Sequence, residues 1–187
     1  YKNWGEFIVG FALLFMGMEM LKNSVPDIKQ NPEVLAFLAQ YTNLGFLSVL
    51  LFLFVGTILT VIVQSSSAIM AITLVMCAQG WISFEIAAAM VLGENIGTTI
   101  TANVAALSAN VSAKRAALSH TIFNVFGVIW LLIVFYPFTS MIKALVVEIG
   151  PTDPTQQDAF SLSLFHSMFN VCNVLILSWF AKFIAKI

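Results

Sequence analysis

Four consecutive polar residues, Gln64, Ser65, Ser66 and Ser67, interrupt a long apolar run and set one amide beside three hydroxyls. Apolar sequence resumes at Ala68, so the string opens a new helical arm, where the first backbone N–H groups have no intrahelical partner. The amides of Ala68, Ile69 and Met70 are the predicted free donors. Backbone donors at the positive end of a helix attract an anion, and hydroxyls complete its shell without a permanent charge that would hinder release. That combination suits a tetrahedral oxyanion. Gln64 can donate to the anion or turn its carbonyl to a cation. The plainer alternative is an N-cap with close packing of small residues; the position between two apolar arms favours the anion.

A second polar interval begins at Gly93-Glu94-Asn95-Ile96-Gly97-Thr98-Thr99 and runs to Asn103. Hydroxyls and unwound carbonyls are hard oxygen ligands of the kind Na⁺ takes at broken helices. Gly93 and Gly97 also have the spacing of a small-xxx-small helix contact, and Glu94 could cap a helix or reach an interface. No lysine follows in P-loop spacing. A third pattern occurs twice: His120 and Asn124, in His-Thr-Ile-Phe-Asn-Val, are echoed by His166 and Asn170, in His-Ser-Met-Phe-Asn-Val. Residues four apart share a helix face, so each pair forms a polar stripe turned into a bundle. Such a stripe either fixes packing or helps to move ions or protons.

The elements that must position these residues are membrane spans. The 187 residues are 60% hydrophobic and 9% charged, with a net charge of -1, against about 25% charged in a soluble domain. A water-soluble globule and a basic nucleic-acid surface are both excluded. Residues 116–142 and 159–181 carry no charge, and 34–113 carry only Glu85 and Glu94; about 20 apolar residues cross a bilayer. The pattern predicts one all-α membrane domain over 1–187: a span at 5–21, an interfacial connection at 22–43 with an amphipathic piece near 34–40, a broken or re-entrant region at 44–107, and spans at 116–137 and 159–187. The piece from 68 to 77 is too short to cross as a helix. Two broken segments, one at each polar interval, are the pattern of a transporter site, since irregular backbone at membrane depth lines a cavity or is buried in protein. Residues 142–158 read as an acidic, Pro-containing connection. Lys114, Arg115, Lys182 and Lys186 oppose Glu148, Asp153 and Asp158, which by the positive-inside rule puts the 108–115 loop and the C-terminus in the cytoplasm.

Other readings are weaker. Glu6 ahead of the first apolar run, and the spans that follow, argue against a cleavable signal. Glu6, Glu19 and Glu85 read as interfacial. Cys77 and Cys172 read as buried small hydrophobes, and no metal-ligand spacing occurs. Ser66 with His120 lacks an Asp in the spans to orient the imidazole, so no enzyme is expected.

The Gln64-Ser65-Ser66-Ser67 string, the 93–99 interval and Ala117 through Asn124, in that order and spacing, closely resemble the type II sodium/phosphate cotransporter family, over roughly residues 45–187. The resemblance implies a multi-span helical bundle with re-entrant helices, one repeat of an inverted-repeat transporter, carrying inorganic phosphate with Na⁺ as the coupling ion and no other cofactor. It implies that Gln64, Ser65, Ser66 and Ser67 hold phosphate, and that Gln64, Ser67, Asn95, Thr98 and Thr99 bind Na⁺ or line its path. The family's fold pairs two repeats, each with this serine string. This chain has one and looks like the C-terminal repeat, to be completed by a first repeat in the same polypeptide or by a second copy in a dimer. Family members often carry a further cytoplasmic helical domain, which this sequence lacks. Glu94 departs from the family, which commonly has a small residue there, usually Ala; that bears on local charge and ion stoichiometry. A carrier of another oxyanion, and a membrane scaffold or dimerisation module that transports nothing, are the alternatives.

Overall fold

The computed structural model describes residues 2–24 and 40–184, and the regular elements among them are all α-helical. They are α1 (Lys2–Ser24), α2 (Phe46–Val63), α3 (Ser66–Ala78), α4 (Phe84–Ala106), α5 (Val111–Ile133), α6 (Phe135–Ile149), α7 (Pro154–Ser178) and a single turn, α8 (Ala181–Ile184). Most of the predicted connection at 22–43, including its amphipathic piece near 34–40, lies outside the described residues.

Among the described residues, three helices are long and apolar enough to cross a membrane: α2, α5, and α7 from Gln156 to Ser178. Of their most apolar 18-residue windows, only 33%, 28% and 33% is buried inside the protein. The remaining apolar surface faces outward, as lipid contact requires. The chain is an all-α membrane protein. In α1 the apolar part, Asn3–Gly17, is shorter, and its described side chains are all exposed. Trp4, Phe7, Phe11 and Phe15 line one of its faces, with Phe7 and Phe11 stacked and the outer pairs edge-on.

Small residues decide how α2 and α4 pack. Gly56 lies against the Met90 backbone, Gly93 against Leu53 and Thr57, and Gly97 against Thr57 and Thr60. A Cβ on Gly93 would fall onto the Leu53 carbonyl, and one on Gly97 would stand 2.6 Å from the Thr60 Cβ. These contacts rise together in sequence, so α2 and α4 run parallel. The Thr57 hydroxyl adds a buried hydrogen bond to the Gly93 carbonyl at 3.0 Å. Between them α3 carries the chain back. Two residues join it to α2 and five to α4, and its Thr73 hydroxyl bonds the Glu94 carboxylate of α4 at 2.8 Å. Its 13 residues rise about 20 Å, short of a bilayer core about 30 Å thick.

The opposite side of the bundle is aromatic. Phe84 meets Phe165 edge-on at 6.1 Å, and Phe135 and Phe138 pack on Phe165 at 6.5 and 5.6 Å. The first half of α4 is the centre of the core, with Ala87, Ala88, Ala89 and Leu92 each 0% exposed. Helices α5 and α7 are antiparallel: Phe123 pairs with Asn173 and, further along α5, Trp130 pairs with the earlier Phe169. The start of α5 and the end of α7 therefore lie at one end of the bundle.

The structure differs from the sequence reading in three places. The 93–103 interval is no break: α4 is continuous through it. The hydroxyls of Thr98, Thr99 and Thr101 donate to carbonyls three or four residues back, as do the amides of Asn95 and Asn103, so these polar groups are satisfied without unwinding. The connection read at 142–158 begins as a helix, α6, whose Ile142 and Val146 are buried; Pro137 sits in its first turn, where a missing N–H costs nothing. The two later spans are shifted, to Val111–Ile133 and Pro154–Ser178, because Asn110 caps the former through its side chain, which accepts from the Ala113 amide at 2.9 Å, and Pro154 opens the latter.

Candidate functional site

The break between α2 and α3 is two residues long, Gln64 and Ser65. Gln64 has left-handed backbone, φ 59° and ψ 24°, and its N–H closes α2 on the Thr60 carbonyl. Among the described residues it is the one non-glycine with positive φ, a conformation that costs an L-residue about 1–2 kcal/mol. Ser65 is extended, φ -146° and ψ 100°, and caps α3 by accepting the Ala68 amide on its hydroxyl at 3.3 Å.

This geometry corrects the predicted set of free amides. Ala68 is satisfied by the Ser65 hydroxyl and Ile69 by the Ser65 carbonyl, the latter at 3.2 Å, while Met70 is deep enough in the helix to bond within it. The orphan donors at the head of α3 are the amides of Ser66 and Ser67.

Ser66 and Ser67 open on a cavity of about 380 Å³ walled by three helices. Helix α3 supplies those two serines with Met70, Ala71 and Leu74; α4 supplies Val91, Glu94 and Asn95; α7 supplies Ser163 and His166. The Asn95 amide nitrogen donates to the Val91 carbonyl at 2.9 Å, which leaves its carbonyl oxygen free to face a ligand. Glu94 is only 3% exposed, and one of its oxygens accepts from the Thr73 hydroxyl at 2.8 Å. Among the described residues, no lysine or arginine lines this cavity.

The other predicted residues lie elsewhere. Ser65 is spent on the cap. Gln64 faces a separate groove with Val61, Ile100, Thr101, Val104 and Ala105. Thr98 is half-buried and bonded to the Glu94 carbonyl, and Thr99 is 1% exposed and bonded to the Ile96 carbonyl. The paired polar stripes divide: His166 reaches the cavity, whereas His120 borders an alanine-lined groove between α4 and α5. In both, the asparagine donates to the carbonyl of its own histidine, Asn124 at 3.0 Å and Asn170 at 2.8 Å. The hydrogen bonds between α5 and α7 come from a residue outside the stripes, Asn173, which donates to the Phe123 carbonyl and accepts from the Trp130 indole.

Sequence reasoning missed Ser163 and His166 as partners of the serine string, and left Glu94 open between a carboxylate beside the candidate Na⁺ residues, an interfacial group and a cap. His166 and Ser163 are three apart on one helix face, but which face meets α3 depends on how α7 packs.

Residues 31–151 match the family model described as Na⁺/Pi-cotransporter. The chain is 35% identical over 179 residues to YqeW of Bacillus subtilis, a protein described as uncharacterized, covering 94% of this chain and 53% of that one. It is 26% identical over 182 residues to YjbB of Escherichia coli, provisionally named an inorganic phosphate export protein, covering 97% of this chain and 31% of that one. It is 40% identical over 95 residues to sodium-dependent phosphate transport protein 2C of Homo sapiens, covering 48% of this chain and 16% of that one. The chain thus spans about half the length of YqeW and less of the others. No solved structure matches.

Proposed function

Because the chain belongs to the Na⁺/Pi-cotransporter family, we propose that it carries inorganic phosphate across a cell membrane with Na⁺ as the coupling ion, and that its cavity is one half of the transport site. The observation that carries this reading is the head of α3. Two unpaired backbone amides and two serine hydroxyls meet there, at a helix N-terminus inside an apolar bundle, the donor set a tetrahedral oxyanion needs.

Phosphate entering this cavity loses water, and a buried anion without a partner is costly. A bound Na⁺ within a few ångströms offsets that cost, so each ion raises the other's affinity, and by linkage the two effects are equal. Ser66 and Ser67 hold the anion in this reading. The predicted Na⁺ set contracts to those of its members that line the cavity, Asn95 and Ser67; Gln64, Thr98 and Thr99 serve the shape of the break and of α4. The α2–α3 hairpin is the re-entrant element, and the second half of the site comes from another repeat, in the same polypeptide or in a second copy. The 108–115 loop and the C-terminus face the cytoplasm. Transport direction follows the gradients imposed, so uptake and export are two uses of one site.

The test is ³²P-phosphate flux in proteoliposomes holding the full-length protein, with inward, outward and no Na⁺ gradient. Flux that follows the Na⁺ gradient, and falls at least about tenfold in Ser66→Ala, is the expected result. Phosphate flux indifferent to Na⁺ removes the coupling; flux of sulfate or arsenate in preference to phosphate removes the substrate; no flux of any of them leaves a scaffold.

A further inference from the structure

Among the described residues, the buried carboxylate of Glu94 has no cationic partner. Charged residues are absent from α2 and α3, and Lys143 of α6 is engaged with Glu85, at 2.5 Å. From α7 the titratable group that shares the cavity is His166; from α3 and α4 the remaining polar neighbours are Ser66, Ser67 and Asn95, all neutral. A carboxylate removed from water and bonded only to Thr73 calls for a counter-charge. A phosphate anion in the same cavity makes that demand larger.

We propose that the Glu94 carboxylate, together with the Asn95 carbonyl oxygen, is a ligand of the coupling Na⁺. This rests on the Na⁺-coupled reading above and adds a charged ligand to it. Both residues line the cavity, and the Thr73 hydroxyl holds one carboxylate oxygen while the Val91 carbonyl fixes the Asn95 amide nitrogen, so both side chains are oriented before the ion arrives. All-oxygen ligation suits a hard cation, whereas imidazole and thiolate suit transition metals. Among the described residues no group of three His, Cys, Asp or Glu side chains could hold a metal ion, so Glu94 would be the one charged ligand among neutral oxygens. The arrangement also sets an order. Without Na⁺, Glu94 repels phosphate; with Na⁺ between them, both anions are satisfied, so Na⁺ binds first.

The experiment is equilibrium ²²Na⁺ binding to the full-length protein in detergent, without phosphate, beside ³²P uptake by the same preparations. Glu94→Gln keeps the shape of the side chain and can still accept from Thr73. It is expected to weaken Na⁺ binding by about tenfold or more, with its melting temperature reporting the fold, while His166→Gln stays within about twofold of the wild type. Should Glu94→Gln not fold, Asn95→Ala carries the test, with a loss of about threefold or more expected. Unchanged Na⁺ binding in the folded variant, or no saturable Na⁺ binding by the wild type, overturns the proposal. Unchanged Na⁺ binding in the variant with Na⁺-driven uptake intact removes Glu94 and leaves the transport reading standing. Wild-type Na⁺ binding that Glu94→Gln abolishes, without phosphate uptake, upholds the cation site and sinks that reading.

Discussion

Replacing Gly93 by alanine adds one methyl group, and the structure fixes the sign of its effect. The new Cβ falls onto the Leu53 carbonyl oxygen, and stands 2.8 Å from both the Leu53 carbonyl carbon and the Thr57 amide nitrogen. All three are backbone, so no side chain can rotate away and the two helices must separate. Overpacking of this kind costs about 1–3 kcal/mol, toward the upper end where backbone is the obstacle. Separation also stretches the Thr57 to Gly93 hydrogen bond, now 3.0 Å, a further loss of about 1 kcal/mol. Alanine recovers about 1 kcal/mol of helix propensity over glycine. The net expectation is a loss of about 2–3 kcal/mol, a fall in melting temperature of about 4–12 °C. Gly10 of α1 is the control: a Cβ there meets nothing within 4 Å, so Gly10→Ala keeps only the propensity gain of about 1 kcal/mol. Thermal unfolding of the full-length protein in detergent, followed by tryptophan fluorescence, compares the two. If Gly93→Ala melts at or above the wild type, the close approach of α2 and α4 is wrong, and with it the placement of the break beside α4.

Two further expectations concern residues the sequence left in the background or read otherwise. Asn173 is 0% exposed and ties α7 to α5 through Phe123 and Trp130; Asn173→Ala breaks both bonds and lowers stability by about 2–3 kcal/mol, measurable in the same melting experiment. Gln64→Gly relieves the left-handed strain and raises stability by about 1 kcal/mol, while phosphate flux is expected to be unchanged because Gln64 serves the turn alone; a fall in flux would return its amide to the transport site.

The serine string was legible because its chemistry is local. Ser65 has the side chain of an N-cap, and a polar break between charge-free arms announces itself. The 93–103 interval was misread for the same reason that makes it informative: Gly, Thr and Asn are residues of broken backbone and equally residues of tight helix seams. Which they serve depends on whether a neighbouring helix with its own small residue, here Gly56, lies within reach, and that is a tertiary fact. The alternative reading of Gly93 and Gly97 as a close helix contact is the one the structure bears out. Helix α6 was hidden by Pro137, whose place in a first turn is invisible until Val134 is seen to end α5. The contribution of α7 was out of reach, because periodicity gives a helix its polar face but not its neighbour.

The glycine seam has a mechanical consequence. Where backbones touch, two helices have no side chains between them to repack, so α2 and α4 move as one strut, and α3, tethered at its head to α2 by two residues and further along to Glu94 by Thr73, travels with it. The wall formed by Ser163 and His166 is joined to that strut only by side chains, which can change partners. In any opening and closing of the cavity, α7 is therefore the moving jaw, and the serines with Glu94 are the fixed one.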